Sequence, residues 1–80
     1  MSRVTVLYFA SLRDAAGVAS EVVEGEESDL RALYEALRAR HGFALPVEQL
    51  RVAVDGAFAH WDDALRSGSE VAFIPPVSGG

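Results

Sequence analysis

The sequence contains no cysteine and no lysine. Without a thiol, the chain cannot form a disulfide, a zinc–thiolate site or a side-chain persulfide, and it has no thiol nucleophile. All 7 of its Lys and Arg positions are arginines. Without lysine, the chain cannot form a lysine Schiff base or a phosphate-binding P-loop. Whatever chemistry the protein takes part in, these side chains do not supply it.

The sequence also lacks a long apolar run and an excess of positive charge. No segment reaches the length of a membrane span, and the short apolar run near the N-terminus is broken by Arg13 and Asp14 before any cleavage site. We therefore expect a cytoplasmic protein with no membrane partner. The net charge of −5 argues against binding nucleic acid through its phosphates and favours a basic partner surface.

The length of 80 residues predicts a single domain with a small core and little room for a deep active site. Alternating apolar residues and turn signals predict five strands, at residues 4–9, 19–24, 50–54, 57–61 and 71–74. The first two strands are joined by a short helical turn or loop closed by Gly17, which predicts an antiparallel hairpin. Asp55 and Gly56 form a tight-turn signal that predicts a second hairpin between the third and fourth strands.

One amphipathic helix follows the second strand, because apolar side chains recur there with a period of 3.6 residues. Ser28 or Asp29 can cap its N-terminus, and Gly42 supplies a left-handed stop. Arg31 and Glu35 are four residues apart and are predicted to pair on its solvent face. The residues on the apolar face are Leu30, Leu33, Tyr34, Leu37 and His41.

These elements predict an α+β fold in which a mixed five-stranded sheet carries the helix on one face. Val4, Val6, Val52, Val54, Val71 and Phe73 are predicted to point toward the helix. The opposite face would then hold Leu7, Phe9, Ala53, Phe58 and Ile74, with no further helix to cover it, although loops 10–18 and 43–49 are candidates.

One histidine and one cluster of polar and aromatic residues invite a functional interpretation. His41, at the end of the helix, is predicted to be structural. His60, Asp62 and Asp63 would need further ligands to hold a metal, so we expect no metal site. Trp61 is predicted to cap the core.

The whole chain resembles the ubiquitin-like β-grasp sulfur carriers, and most of all the small subunits of molybdopterin synthase. The resemblance rests on the strand start RVTVLYFASLRDAAG, on the distance to the helix, and on the ending SGSEVAFIPPVSGG. It implies a β-grasp domain over residues 1–75 and a flexible Gly-Gly tail over residues 76–80. The prolines hold the start of such a tail extended, and its five residues reach about 15 Å beyond the sheet.

The resemblance implies that Gly80 carries the chemistry. An E1-like enzyme would adenylate its carboxylate with ATP, and a sulfur donor such as a cysteine desulfurase or a rhodanese would convert it to a thiocarboxylate. No cofactor would be bound permanently. The tail residues Pro75, Pro76, Val77, Ser78 and Gly79 would insert into the large subunit, where the sulfur passes to precursor Z (cyclic pyranopterin monophosphate).

The resemblance also implies a partner interface and an assembly. Phe9, Phe58 and Ile74 stand where family members carry apolar interface residues, and Leu7 is predicted to lie on the same face of the sheet. In the family this region contacts the activating enzyme and the large subunit, which forms a heterotetramer with two small subunits. Arg13 with Asp14 matches an Arg–acid pair of the family and is either a contact to acids of a partner or a solvated surface charge. The chain alone is not expected to be catalytic. Two alternatives stay open: a carrier or modifier for tRNA thiolation, thiamine synthesis or protein conjugation, and an interaction domain whose glycines have no chemistry.

Overall fold

The computed structural model describes residues 2–76, and within them the chain forms five strands, two α-helices and one 3-10 helix. Met1 and the predicted tail residues Val77, Ser78, Gly79 and Gly80 lie outside the described residues. The elements are β1 (Ser2–Tyr8), α1 (Ala10–Ala16), β2 (Ser20–Gly25), α2 (Leu30–His41), the 3-10 helix (Val47–Gln49), β3 (Arg51–Val54), β4 (Ala57–Ala59) and β5 (Glu70–Ile74).

The strands form one mixed sheet in the order β2-β1-β5-β3-β4. The last strand, β5, lies in the middle of the sheet, parallel to β1 and antiparallel to β3. The two predicted hairpins, β1–β2 and β3–β4, are both antiparallel and both confirmed. The α+β class and the mixed five-stranded sheet are confirmed as well.

The core lies between the sheet and α2, because the buried stripe of the helix covers one apolar face of the sheet. The Tyr34 ring packs edge-on against Phe73, with 5.1 Å between ring centroids, and Trp61 stacks on Phe73 at 5.8 Å. Trp61 thus caps the core as predicted. The sheet residues that were predicted to face the helix are buried, apart from Val54, which is partly buried against the cluster.

The ends of α2 follow the sequence signals, but its predicted salt bridge does not form. Asp29 is the N-cap, and its carboxylate accepts a hydrogen bond from the Ala32 amide at 2.8 Å. Gly42 ends the helix with a φ of 74°. Arg31 pairs with Asp62 at 2.5 Å instead of with Glu35, because the turn after β4 approaches the first turn of the helix.

Several strand boundaries differ from the prediction by one or two residues, and local hydrogen bonds explain two of these differences. The predicted fourth strand ran to residue 61, but β4 ends at Ala59. The His60 amide donates to the Asp63 carboxylate and the Asp63 amide donates to the His60 carbonyl, and these two hydrogen bonds turn the chain there. The predicted third strand began at residue 50, but the Leu50 amide donates to the Val47 carbonyl and closes the 3-10 helix. The segment after β1 is a helix of two turns that Gly17 ends at a φ of 80°.

Within residues 2–76, no helix is long and apolar enough to cross a membrane.

Candidate functional site

The sheet face opposite α2 carries a row of apolar side chains, which we call the outer face: Leu7, Phe9, Ala53, Phe58, Ala72 and Ile74. Four of its residues are direct cross-strand partners, since Leu7 pairs with Ala72, Ala72 with Ala53, and Ala53 with Phe58. The two alanines stand in the middle of the row between larger side chains. The result is a shallow depression of about 290 Å³.

The outer face is open to solvent. Phe58 is 68% exposed and Phe9 is 44% exposed, which is unusual for phenylalanine in a small domain. Loops 10–18 and 43–49, which could have covered it, contribute no residue to the lining of the depression. Leu12, Phe43 and Val47 of those loops are buried in the core instead. A contiguous exposed apolar patch of this kind is typical of a protein interface.

The root of the predicted tail is continuous with the outer face through Ile74, the last residue of β5. Pro75 is buried and Pro76 is exposed, and both lie in a groove beside Leu50 and Arg51. Because β5 is parallel to β1, the chain leaves the sheet at the end where Phe9 follows β1. The geometry therefore places Phe9 and Ile74 at the exit of the tail.

Charged side chains lie at both ends of the outer face. The Arg51 guanidinium carbon lies 5.5 Å from the centroid of the Phe58 ring, within the range of a cation–π contact. Glu70 lines the depression at its opposite end. Arg13, which the sequence placed at the interface, lies exposed on α1 outside the lining of the depression.

A polar cluster that sequence analysis missed lies around Glu21, at the side of the sheet away from β4. The Glu21 carboxylate accepts a hydrogen bond from the Tyr8 hydroxyl at 2.5 Å and contacts His41 Nε2 at 2.7 Å. Arg40 lies 3.6 Å from its other oxygen. The cluster joins β1, β2 and the end of α2, which agrees with a structural role for His41.

The Glu21 cluster shifts the pKa of both acids in it. Burial raises the pKa of Glu21, but the hydrogen bonds from Tyr8 and His41 and the charges of His41 and Arg40 outweigh burial, so the net pKa lies below its ordinary value. The pKa of Tyr8 is raised, first by burial and then by its hydrogen bond to Glu21 and the charge of that carboxylate. No pattern in the sequence pointed to Glu21, because its partners are 13 and 20 residues away.

No group of three or more metal-ligating side chains comes together within residues 2–76. The residues around His60 form a backbone turn, in which the Asp63 carboxylate accepts a hydrogen bond from the His60 amide at 3.0 Å. Asp62 pairs with Arg31. The side chains around His60 therefore take part in a turn and in an ion pair with α2.

One helix held by a mixed five-stranded sheet, with the last strand in the middle, defines a ubiquitin-like β-grasp domain. The chain belongs to the ThiS family, which matches residues 6–80. The molybdopterin synthase sulfur carrier subunit of Escherichia coli is 35% identical over 80 residues, which cover 96% of this chain and 99% of that protein.

Two solved structures show the same fold over nearly the full length. A putative molybdopterin converting factor subunit 1 from Pyrococcus furiosus is 32% identical, with a TM-score of 0.79, and the match covers 96% of this chain and 100% of that one. SAMP1 from Haloferax volcanii is 26% identical, with a TM-score of 0.81, and the match covers 99% of this chain and 100% of that one.

Proposed function

We propose that this protein is the sulfur carrier subunit of a molybdopterin synthase. The observation that carries the proposal is the full-length similarity to the Escherichia coli subunit of that name, together with an exposed apolar face that runs into the root of the tail. The absence of cysteine is compatible with it, because the sulfur would be bound to the terminal carbonyl carbon and not to a side chain.

The proposed reaction takes place at Gly80. A carboxylate is ionised at cytoplasmic pH and is a poor electrophile, so it must be activated. A carboxylate oxygen attacks the α-phosphorus of ATP in an E1-like enzyme, and pyrophosphate leaves. The terminal sulfur of a persulfide donor then attacks the carbonyl carbon and AMP leaves. This step leaves an acyl disulfide between Gly80 and the donor enzyme. A thiol of the donor enzyme then attacks the donor's own sulfur atom, so that the sulfur–sulfur bond of the acyl disulfide breaks. The donor enzyme is left with a disulfide, and the glycyl thiocarboxylate is released.

The carrier would deliver this sulfur to the large subunit. The outer face binds the partner, and Ile74 and Pro75 direct the tail from the contact into the partner's active site, where precursor Z accepts the sulfur. Burial of the exposed phenylalanines and of the half-buried leucine and isoleucine of this face supplies the binding free energy, as in the centres of other protein interfaces. The catalytic side chains belong to the large subunit.

The intact mass of the purified protein tests the proposed chemistry. The protein is incubated with ATP, the E1-like enzyme and a persulfide donor, and a variant without Gly80 serves as the control. We expect a gain equal to the exchange of one oxygen for sulfur, and no gain in the control. If the mass stays constant with an activating enzyme that is competent on another carrier, the proposal is wrong.

A second candidate function, protein modification, is favoured by the similarity to SAMP1, a small archaeal modifier protein. Tail activation would be the same, but the acyl group would pass to a lysine of a target protein. A tagged copy of this chain expressed in its own cells separates the candidates. Conjugation predicts a ladder of isopeptide-linked products, whereas the synthase function predicts that a large-subunit homologue copurifies. Carriers for thiamine synthesis or tRNA thiolation would give neither result.

A further inference from the structure

We propose that opposite charges at the two ends of the outer face fix the direction of docking, with Arg51 binding a carboxylate of the partner protein at the end where the tail leaves. The inference rests on the proposed function, because the partner is the large subunit that receives the tail. That subunit must then present a carboxylate opposite Arg51.

The positions of the two charges follow from the strand register. Arg51 pairs across strands with Ile74, at the end of β5, whereas Glu70 is the first residue of that strand. Four residues of strand separate the two ends by about 13 Å. This distance exceeds the Debye length of about 8 Å at physiological ionic strength. A partner surface therefore interacts with each charge separately.

Arg51 is held in position to bind an anion. Its guanidinium lies over Phe58, and within residues 2–76 it makes no ion pair. This contact with the ring restricts the Arg51 side chain, so that binding removes less of its conformational freedom. A planar guanidinium without an ion pair of its own can donate two parallel hydrogen bonds to a carboxylate.

Glu70 is fixed at the other end by its backbone. Its amide donates to the Asp55 carboxylate at 2.9 Å, and its carbonyl accepts from the Asp55 amide at 2.9 Å. The acidic end of the face is thus attached to the turn between β3 and β4. A basic side chain of the partner would be its complement.

A single carboxylate suits Arg51 better than a polyanion does. The chain carries a net charge of −5, which repels phosphate-rich ligands at long range. The apolar contact itself has no direction, because burial of apolar surface is non-directional. In a reversed complex, like charges would meet at both ends and the tail would point away from the partner's site. Arg51 and Glu70 together exclude that complex.

The test measures the affinity of purified large subunit for three variants by calorimetry at low and high salt. Arg51→Glu reverses the charge, and Arg51→Leu keeps an apolar cover on Phe58. Arg66→Glu makes the same change in net charge in the segment before β5, outside the lining of the outer face. We expect Arg51→Glu to weaken binding by about tenfold or more, and Arg66→Glu by less than about twofold. Arg51→Leu should lower the salt dependence of binding. Equal effects of Arg51→Glu and Arg66→Glu would overturn the inference.

Charge reversal in the partner gives a second criterion. Each Asp and Glu around the tail entrance of the large subunit is changed to Arg in turn, and one of these changes should restore the affinity for Arg51→Glu. If none does, Arg51 binds no carboxylate there. Phe58→Ala shows whether the inference or the proposed function is wrong. If the wild-type protein does not bind the large subunit, the proposed function is wrong. If the wild-type protein binds, Phe58→Ala does not bind, and Arg51→Glu has the same affinity as Arg66→Glu, only the inference about Arg51 is wrong.

Discussion

Phe58 and Phe73 show how differently one residue type acts on the two faces of a single sheet. Phe73 is fully buried against α2, whereas Phe58 is two-thirds exposed on β4. The free energy of unfolding depends on the first side chain, and partner binding would depend on the second.

Substitution of each phenylalanine by alanine should therefore have opposite consequences. Phe73→Ala is expected to cost about 3–5 kcal/mol of stability, which is a large share of what a domain of this size has. Phe58→Ala should change stability by less than about 1 kcal/mol and weaken binding to the large subunit by about tenfold or more. Chemical denaturation and calorimetric binding measure the two effects. A Phe58→Ala variant that binds normally would contradict the docking role of the outer face.

Glu21 should make stability depend on pH on the acid side. The pKa of its carboxyl is lower in the folded protein than in the unfolded chain, so its contribution is present above the unfolded pKa of about 4.3 and is lost as the pH falls through the folded pKa. Glu21→Gln is expected to lower the melting temperature at pH 7, with a difference from wild type that shrinks toward pH 3.

Glu24→Gln is the matched control for Glu21→Gln. Glu24 lies on the same strand, but its contact with Arg3, at 3.5 Å, is exposed on both sides and should contribute little. Two results would show that the cluster does not act through the ionised Glu21 carboxylate. In one, the melting temperatures of Glu21→Gln and wild type differ by the same amount at every pH. In the other, Glu24→Gln shows an equal difference from wild type.

At the scale of the element, α2 depends on its cap. Asp29→Ala removes the acceptor of the Ala32 amide and should lower the free energy of unfolding by about 1 kcal/mol. Ser28→Ala changes the neighbouring exposed side chain, which the structure does not use as the cap, and should have an effect within about 0.5 kcal/mol. Urea denaturation of both variants measures this. If both variants lose the same free energy of unfolding, Asp29 is not the residue that caps α2.

Most elements and both ends of α2 could be predicted from the sequence, but the ends of several strands could not. The period of α2 and the alternation of β1 are local properties of consecutive residues, and both elements were found. The end of β4 at Ala59 and the pairing of Arg31 with Asp62 depend on contacts between the turn after β4 and the start of α2. Sequence spacing favoured Glu35 as the partner of Arg31, because the four-residue spacing rule compares only residues of the same helix.

At the scale of the whole molecule, the fold and the tail should be separable. Adding one alanine after Gly80 is expected to leave the melting temperature unchanged, since the core residues of the described part all lie between Val4 and Phe73. The same change should abolish thiocarboxylation, because the activated carboxylate would belong to a different residue. Intact mass and thermal denaturation measure the two outcomes.

A chain with one alanine added before Ser2 is the control for the extended tail. It should keep both the melting temperature and the gain of sulfur. If the chain extended after Gly80 still gains sulfur, the chemistry does not depend on the terminal glycine.

The sequence by itself determined which face of each element is apolar, where the two hairpins turn, and which residues remain on the uncovered side. Only the tertiary structure decided that β5 enters between β1 and β3, so that Leu7, Ala72, Ala53 and Phe58 form one row and Arg51 stands beside the last residue of the sheet. The physical reason is that alternation fixes the face on which a side chain lies, whereas backbone hydrogen bonds between strands are nearly independent of sequence. The neighbour of each strand is therefore chosen by packing of the whole core.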